Sequence, residues 1–368
     1  MAPESPTATA DATTHYQRGL ALAASGDFAA AAHAQAAALL LAPDLHVARL
    51  QLAQLLDQLG QPDTALLQYV RVLQDAQASG QWVNAATTPP ALQPALQRAV
   101  QRVRTGRRAA FDLLFAPLVA RHGRQALGRV ERCLAYYLNE ARPVYPDARQ
   151  RPTFLYFPDL PTSPYFDRAV FDWLPEFESQ AAGMRAELDA LLPSQSGSER
   201  VFTSREVEAQ NLKGTTREPS WTGYYFYRHG ERRADNASAC PITAAALEKI
   251  PLCRVQGHGP EVLYSVFTPD THLLPHKGVT NTRVVGHLPL IIPRDSALRV
   301  GGETHVWQEG RVVVFDDTYD HEAWNRSDEL RVVMIFDLWN PYLTDCERDA
   351  VAALVGAIGE FRHALEQL

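Results

Sequence analysis

Ser265–Pro293 reads SVFTPDTHLLPHKGVTNTRVVGHLPLIIP. Trp307–Asn325 (WQEGRVVVFDDTYDHEAWN) and Leu330–Pro341 (LRVVMIFDLWNP) follow it closely. Short runs of Val, Ile, Leu and aromatic residues are cut off there by Pro, Gly, Asp and Asn. β-Branched and aromatic side chains fit a pleated, half-buried surface, so such runs predict strands. The pattern extends to TGYYFYR (222–228), EVLYSVFT (261–268), ALRV (297–300) and THVW (304–307). Many short strands of this kind predict a sandwich or barrel. Alternation in LRVVMIFDLW puts Arg331 and Val333 on one face and Val332 and Met334 on the other.

On the C-terminal side, Thr344-Asp345-Cys346-Glu347 has the spacing of a capping box and opens a last helix. On the N-terminal side lie a polar, Ser-rich stretch over 193–219 and a helix over 174–192, preceded by a cluster of aromatics and prolines. Pro143, Pro146 and Pro152 break the pattern within 142–152, and a domain boundary is expected there. Before it, helical periodicity runs over 91–139, behind a connector, 81–94, that contains Pro89-Pro90. The first eighty residues carry an internal repeat, a helix, a Gly turn and an Ala-rich helix, with Gly26 and Gly60 one 34-residue period apart. That period resembles tetratricopeptide repeats, whose helix pairs stack because each exposes an apolar face that only a neighbour can cover. The expected fold class is multidomain α + β. It comprises a disordered Pro/Ser/Thr/Ala lead-in over 1–13, a tetratricopeptide-like helical domain over 14–144 and a β-rich domain over 145–368.

The composition is that of a globular protein, 46% hydrophobic and 21% charged. A net charge of −7 without any Lys/Arg block argues against a nucleic-acid partner. No run approaches the ~20 apolar residues of a membrane span, and the first residues lack the pattern of a secretory signal. The expectation is no membrane association and a cytoplasmic location. Cys133, Cys240, Cys253 and Cys346 form no CxxC pair and read as buried thiols, with a Cys240–Cys253 bridge as the alternative.

Seven of the twelve histidines fall after residue 257. His276 lies in an expected loop just before the strand TRVVGHLPLII, and His321 follows the strand GRVVVFD. Two neutral imidazoles brought together from separate strand ends can hold a borderline metal such as iron and leave coordination positions open. Arg331, ten residues after His321, is a guanidinium in an apolar strand, which burial disfavours unless a carboxylate meets it. His287 stands in the neighbouring strand. His272 and His276 also form an HxxxH, but Pro269 and Pro275 argue against the helix a zinc site of that spacing needs.

Taken together, the three quoted stretches resemble the catalytic core of aspartyl/asparaginyl β-hydroxylases, with weaker resemblance back to PDLPTSPYFDR (158–168). The resemblance implies a double-stranded β-helix (jelly-roll) oxygenase using Fe(II), 2-oxoglutarate and O2. Carried over by position, it implies His276 and His321 as iron ligands and Asp317 as a catalytic carboxylate beside the metal's water shell. Arg331 and Ser265 would hold the distal carboxylate of 2-oxoglutarate, His287 would meet its chelating end, and Trp221 would lie near it. Arg283 corresponds to a basic residue on the substrate side. Two departures stand out. Gly278 occupies the place where most oxygenases of this fold carry the third, acidic ligand, an absence the family shares. Val285 replaces a second Arg two residues before His287. The implied activity is hydroxylation of an Asp/Asn-type residue in a peptide, protein or amino-acid-derived substrate, with recruitment by the helical domain. Alternatives are the same chemistry on another amino acid, a carrier-bound intermediate or a fatty-acyl chain, and a non-catalytic scaffold.

Overall fold

The computed structural model describes residues 6–193 and 197–368. Two compact units emerge, one comprising residues up to Ala116 with Ile358–Leu368, the other Pro117–Ala357.

The first unit begins with four helices, α1 (Pro6–Ala24), α2 (Phe28–Leu41), α3 (His46–Gln58) and α4 (Pro62–Ala78), each packed on the next. Ala31, Ala38, Ala48, Ala53 and Ala65 are fully buried between them, and such small side chains let helices approach closely. Leu50, Leu55 and Tyr69 fill the remaining core. The helix–Gly turn–helix order matches the expectation. Gly26 and Gly60 have φ of 86° and 71° with no atom near an added Cβ, so backbone conformation and not crowding selects glycine. Asp27 caps α2 by accepting from Ala30 N at 3.1 Å, and Pro62 occupies the first turn of α4. One expectation is corrected here. From Pro6 on, the stretch expected to be a disordered lead-in is helical, because ATADATT continues into α1 with Ala supplying helix propensity. Residues 1–5 lie outside the described residues. The connector over 81–94 holds only a 3-10 turn, Pro90–Leu92, before α5 (Gln93–His122).

In the second unit, α6 (Gly128–Tyr137) sends Arg129 to the Glu347 carboxylate and to the carbonyls of Asp159 and Tyr342. This segment therefore belongs to the second unit, although it precedes the boundary expected at 142–152. Then come α7 (Leu174–Ser179), α8 (Ala181–Leu191) and α9 (Arg205–Asn211), with α10 (Ala234–Ala239) and α11 (Pro241–Leu247) further on. The last helix, α12 (Asp345–Glu366), starts at the expected capping box, with Glu347 Oε2 accepting from Thr344 N at 2.9 Å. Both divisions between units fall inside helices, at Pro117 of α5 and Ile358 of α12.

Twelve strands follow among the described residues: β1 (Ser198–Arg200), β2 (Leu212–Lys213), β3 (Trp221–Arg228), β4 (Glu231–Arg232), β5 (Val262–Phe267), β6 (Thr271–His276), β7 (Arg283–Ile291), β8 (Ser296–Val300), β9 (Glu303–His305), β10 (Val313–Phe315), β11 (His321–Asn325) and β12 (Arg331–Trp339). The larger sheet runs β1-β3-β5-β12-β7-β10 with β4 beside β3, and the smaller runs β2-β6-β11-β8-β9. All pairs are antiparallel. One core cluster draws Phe267, Val285 and Val333 from the larger sheet and Leu273, Leu298 and Ala323 from the smaller, so the two sheets face each other. Val332, Met334, Phe336 and Leu338, on the other face of β12, pack with Leu174, Phe177, Met184 and Leu247 of the covering helices. Covered on both faces, β12 reads as a nearly unbroken apolar run.

The loop expected around His276 is the strand β6. Pro275 lacks an N–H, but it lies where the β6–β11 register shifts, between Leu273 and His276, so no ladder bond is lost. β11, also missed as a strand, owes its order to pairing on both sides, with β6 and with β8. All four cysteines are free thiols, and Cys346 is half-buried, not buried as expected.

Candidate active site

His276 ends β6 and His321 begins β11, and the two are direct cross-strand partners. Their ring centroids lie 4.0 Å apart. Each Nδ1 lies against a carbonyl two residues upstream, Leu274 O at 2.9 Å and Tyr319 O at 3.1 Å. A carbonyl only accepts, so each Nδ1 carries the proton and each Nε2 keeps a free lone pair. Burial lowers both pKa values, that of His321 to about 3, with the neighbouring His276 adding to the effect. Both rings are neutral at physiological pH. Among the described residues no group of three or more His, Cys, Asp and Glu side chains is arranged around a common metal position.

Asp317 sits in the turn between β10 and β11. A Cβ on Gly278 would lie 2.1 Å from Asp317 Cγ, so the Asp317 carboxyl group fills the space where a side chain at 278 would start. Glycine at this position is thus required by crowding. Asp317 Oδ2 accepts from Arg283 at 2.9 Å, while Oδ1 is buried without a partner. Burial raises the Asp317 pKa to about 7 against the opposing pull of Arg283. Arg283 also pairs with Asp337, and these two carboxylates raise its pKa despite burial.

Arg331 begins β12. It is 1% exposed, and its nearest hydrogen-bond acceptors are Ser265 O and Oγ, both at 3.4 Å. Its Nε has no partner, and no carboxylate reaches the guanidinium among the described residues. Phe267 lies under it at 3.6 Å and Trp307 at 5.0 Å. Burial alone pushes its pKa down to about 9, which leaves it cationic at neutral pH. Trp221 Nε1 donates to Ser265 Oγ at 2.9 Å. His287 is buried with Nδ1 unpartnered, its pKa held well below the ordinary value by burial and then by Arg331.

These side chains line one cavity of about 320 Å³. His276, His321, Asp317, Arg283, His287, Ser265, Arg331 and Trp221, all singled out from the sequence, converge there. The donor set suits the expected ligands. Two bare imidazole nitrogens fit a borderline divalent metal, and an orphaned buried guanidinium fits a carboxylate.

Residues 178–341 match the profile of the aspartyl/asparaginyl β-hydroxylase family. The human aspartyl/asparaginyl β-hydroxylase is 34% identical over 148 residues, 40% of this chain and 19% of that protein. Over residues 178–341 the chain is thus similar to the aspartyl/asparaginyl β-hydroxylase family. The ornithine lipid ester-linked acyl 2-hydroxylase of Rhizobium tropici is 34% identical over 190 residues, 51% of this chain and 64% of that protein. Human aspartate β-hydroxylase domain-containing protein 2 is 30% identical over 238 residues, 63% of this chain and 61% of that one. The chain thus spans less than two thirds of the length of each of these relatives.

Asp337, in the lining of this cavity, and Trp307, whose ring lies against Arg331, were not singled out as site residues. Asp337 could not be told from a solvated strand-end carboxylate, because its partner Arg283 lies on another strand, 54 positions away. Trp307 is legible in the sequence only as part of the expected strand THVW (304–307). Its Nε1 is buried without a partner, and its ring lies against both Arg331 and His287. His272, by contrast, stands away from the pair and meets Glu322 at 2.6 Å.

Proposed function

We propose that the second unit is an Fe(II)- and 2-oxoglutarate-dependent dioxygenase hydroxylating the β-carbon of an Asp- or Asn-type residue in a peptide, protein or amino-acid-derived substrate. The observation that carries this reading is the buried, carboxylate-free guanidinium of Arg331, in one cavity with two neutral imidazoles whose Nε2 atoms are bare. In this reading His276 and His321 hold the iron. Ser265 and Arg331 receive the distal carboxylate of 2-oxoglutarate, and His287 meets its other end through the unpartnered Nδ1. When bound, iron and 2-oxoglutarate supply the O2 activation that converts C–H to C–OH, with succinate and CO2 as co-products.

The chain's own residues supply position and electrostatics. The carbonyls of Leu274 and Tyr319 fix the tautomers and orientations of the two rings. Trp221 holds the Ser265 hydroxyl toward Arg331, and Phe267 and Trp307 keep water from the guanidinium. Arg283 holds Asp317 beside the imidazole pair, where the carboxylate orders whatever water approaches the metal.

We read the two facing sheets as a double-stranded β-helix. We read the paired helices of the first unit as tetratricopeptide-like, a surface that would recruit an extended peptide. Among the described residues no helix is long and apolar enough to cross a membrane. The proposed compartment is the cytoplasm, which four free thiols suit. The Rhizobium tropici relative, named for an acyl 2-hydroxylase, supports a second reading in which the same centre acts on an acyl chain. Another amino acid or a carrier-bound intermediate fits the same chemistry.

The test is direct. Anaerobic addition of Fe(II) and 2-oxoglutarate should produce a metal-to-ligand charge-transfer band, and admission of O2 should produce iron-dependent succinate. Absence of both would contradict the oxygenase reading and favour a non-catalytic scaffold.

A further inference from the structure

We propose that the substrate group entering this cavity beside the imidazole pair is uncharged, a carboxamide or an acyl segment, and that a carboxylate is rejected there. The proposal rests on the oxygenase reading above and concerns what remains of the cavity once 2-oxoglutarate is accounted for.

Three arginines line the cavity: Arg228, Arg283 and Arg331. Arg331 receives the cosubstrate. Arg283 is held between Asp317 and Asp337. Arg228 is paired with Glu199 and lies over the Tyr225 ring at 4.7 Å. His229, at the exposed edge, faces Glu261 at 2.8 Å. Both arginines other than the cosubstrate's are thus occupied by carboxylates of the chain.

The carboxylates lining this half are Glu261, Asp317 and Asp337. Asp337 and Val285 are cross-strand partners, so the position beside Asp337 that a second cation would fill holds an apolar side chain. Two residues from Asp337 along β12, Ile335 opposes Leu263 of β5, which in turn opposes Tyr225 of β3, so the three form an apolar row. A substrate carboxylate here would join Glu261, Asp317 and Asp337, while Arg228 and Arg283 are already paired with carboxylates of the chain. Like charges juxtaposed in a desolvated site cost several kcal/mol. An amide or methylene segment meets no such penalty and covers the apolar row. Val285 and Asp337 are therefore specificity-determining residues.

The test uses protein loaded with Mn(II), which is redox-inert here, and 2-oxoglutarate. Calorimetric titration then compares two peptides identical except for Asn or Asp, and N-decanoyl glycinamide. At least one neutral probe should bind at least about ten-fold tighter than the Asp peptide. Val285→Arg should narrow or reverse the Asn-over-Asp preference. Asp337→Asn, which preserves shape, should narrow it even if the arginine variant does not fold. An Asp peptide binding as well as the neutral probes, or no probe binding at all, overturns the proposal. Normal 2-oxoglutarate binding in the same titrations shows that such a failure belongs to this inference alone. Loss of 2-oxoglutarate binding would instead count against the oxygenase reading.

Discussion

Arg331 and Arg283 sit on neighbouring strands of one sheet and line the same cavity, yet their surroundings are opposite. Arg331 is 1% exposed and meets only a serine and two aromatic faces. Arg283 is a fifth exposed and is gripped by two carboxylates. A buried charge without a partner destabilises the fold that holds it until a ligand supplies the counter-charge. A charge already shared between two partners has little left to offer a ligand. The cavity therefore has one pole that waits for an anion and one that does not.

The largest effect should come from the two histidines proposed to hold iron. His276→Ala or His321→Ala should reduce iron-dependent succinate formation to background while the far-UV circular dichroism is unchanged. Retained turnover in either variant would remove the two-histidine centre from the account.

The arginines themselves provide the sharper contrast, read by urea unfolding without cosubstrate. Arg283→Met leaves Asp317 and Asp337 buried without their cation and should lower stability by about 3–5 kcal/mol. Arg331→Met removes an unpaired charge and should leave stability equal or higher. Equal losses in the two variants would erase the distinction between them.

The smallest effect is a pH slope in the metal-free protein. The Asp317 pKa is raised to about 7, so this group's contribution to stability is full below about 4 and is lost as pH rises through 7. The His321 pKa is lowered to about 3, so its contribution is present above 6.5 and is lost as pH falls. Between about pH 4 and 6.5 the two slopes oppose each other. Asp317→Asn should leave the histidine slope exposed, with the urea midpoint rising with pH over that window more steeply than in the wild type. An unchanged profile would mean that Asp317 is not buried as described.

Much of this contrast is legible in the residues, but unevenly. Arg331 stands out because a guanidinium at the head of the apolar run VVMIF has no local reason to be there, and the strand pattern fixes its face. β3, β5, β7, β10 and β12 of the larger sheet are legible because they read as apolar runs, whereas its short, exposed strands β1 and β4 are not. β6 is not, because Pro275 argues against a strand and only the register shift against β11 makes room for it. Nor does Arg283 reveal its state, since both its partners lie on later segments and pairing across strands has no sequence period. Gly278 reads as a missing carboxylate, and only the structure shows the Asp317 carboxyl group occupying that space. The early start of α1 was hidden by a composition, rich in Pro, Ser and Thr, that also holds enough Ala to be helical.

The central claim is that Arg331 is the receiver of a distal carboxylate, and a two-by-two comparison tests it most directly. Binding of 2-oxoglutarate and of 2-oxobutyrate, which lacks that carboxylate, is measured by calorimetry in Mn(II)-loaded wild type and Arg331→Met. Truncating one side of a buried charge pair costs about 2–5 kcal/mol, so the wild type should prefer 2-oxoglutarate by about 30-fold or more. In Arg331→Met that preference should collapse to within a few-fold, leaving 2-oxobutyrate binding nearly unchanged. The same preference in both proteins would contradict the assignment of Arg331, and with it the observation on which the functional reading rests.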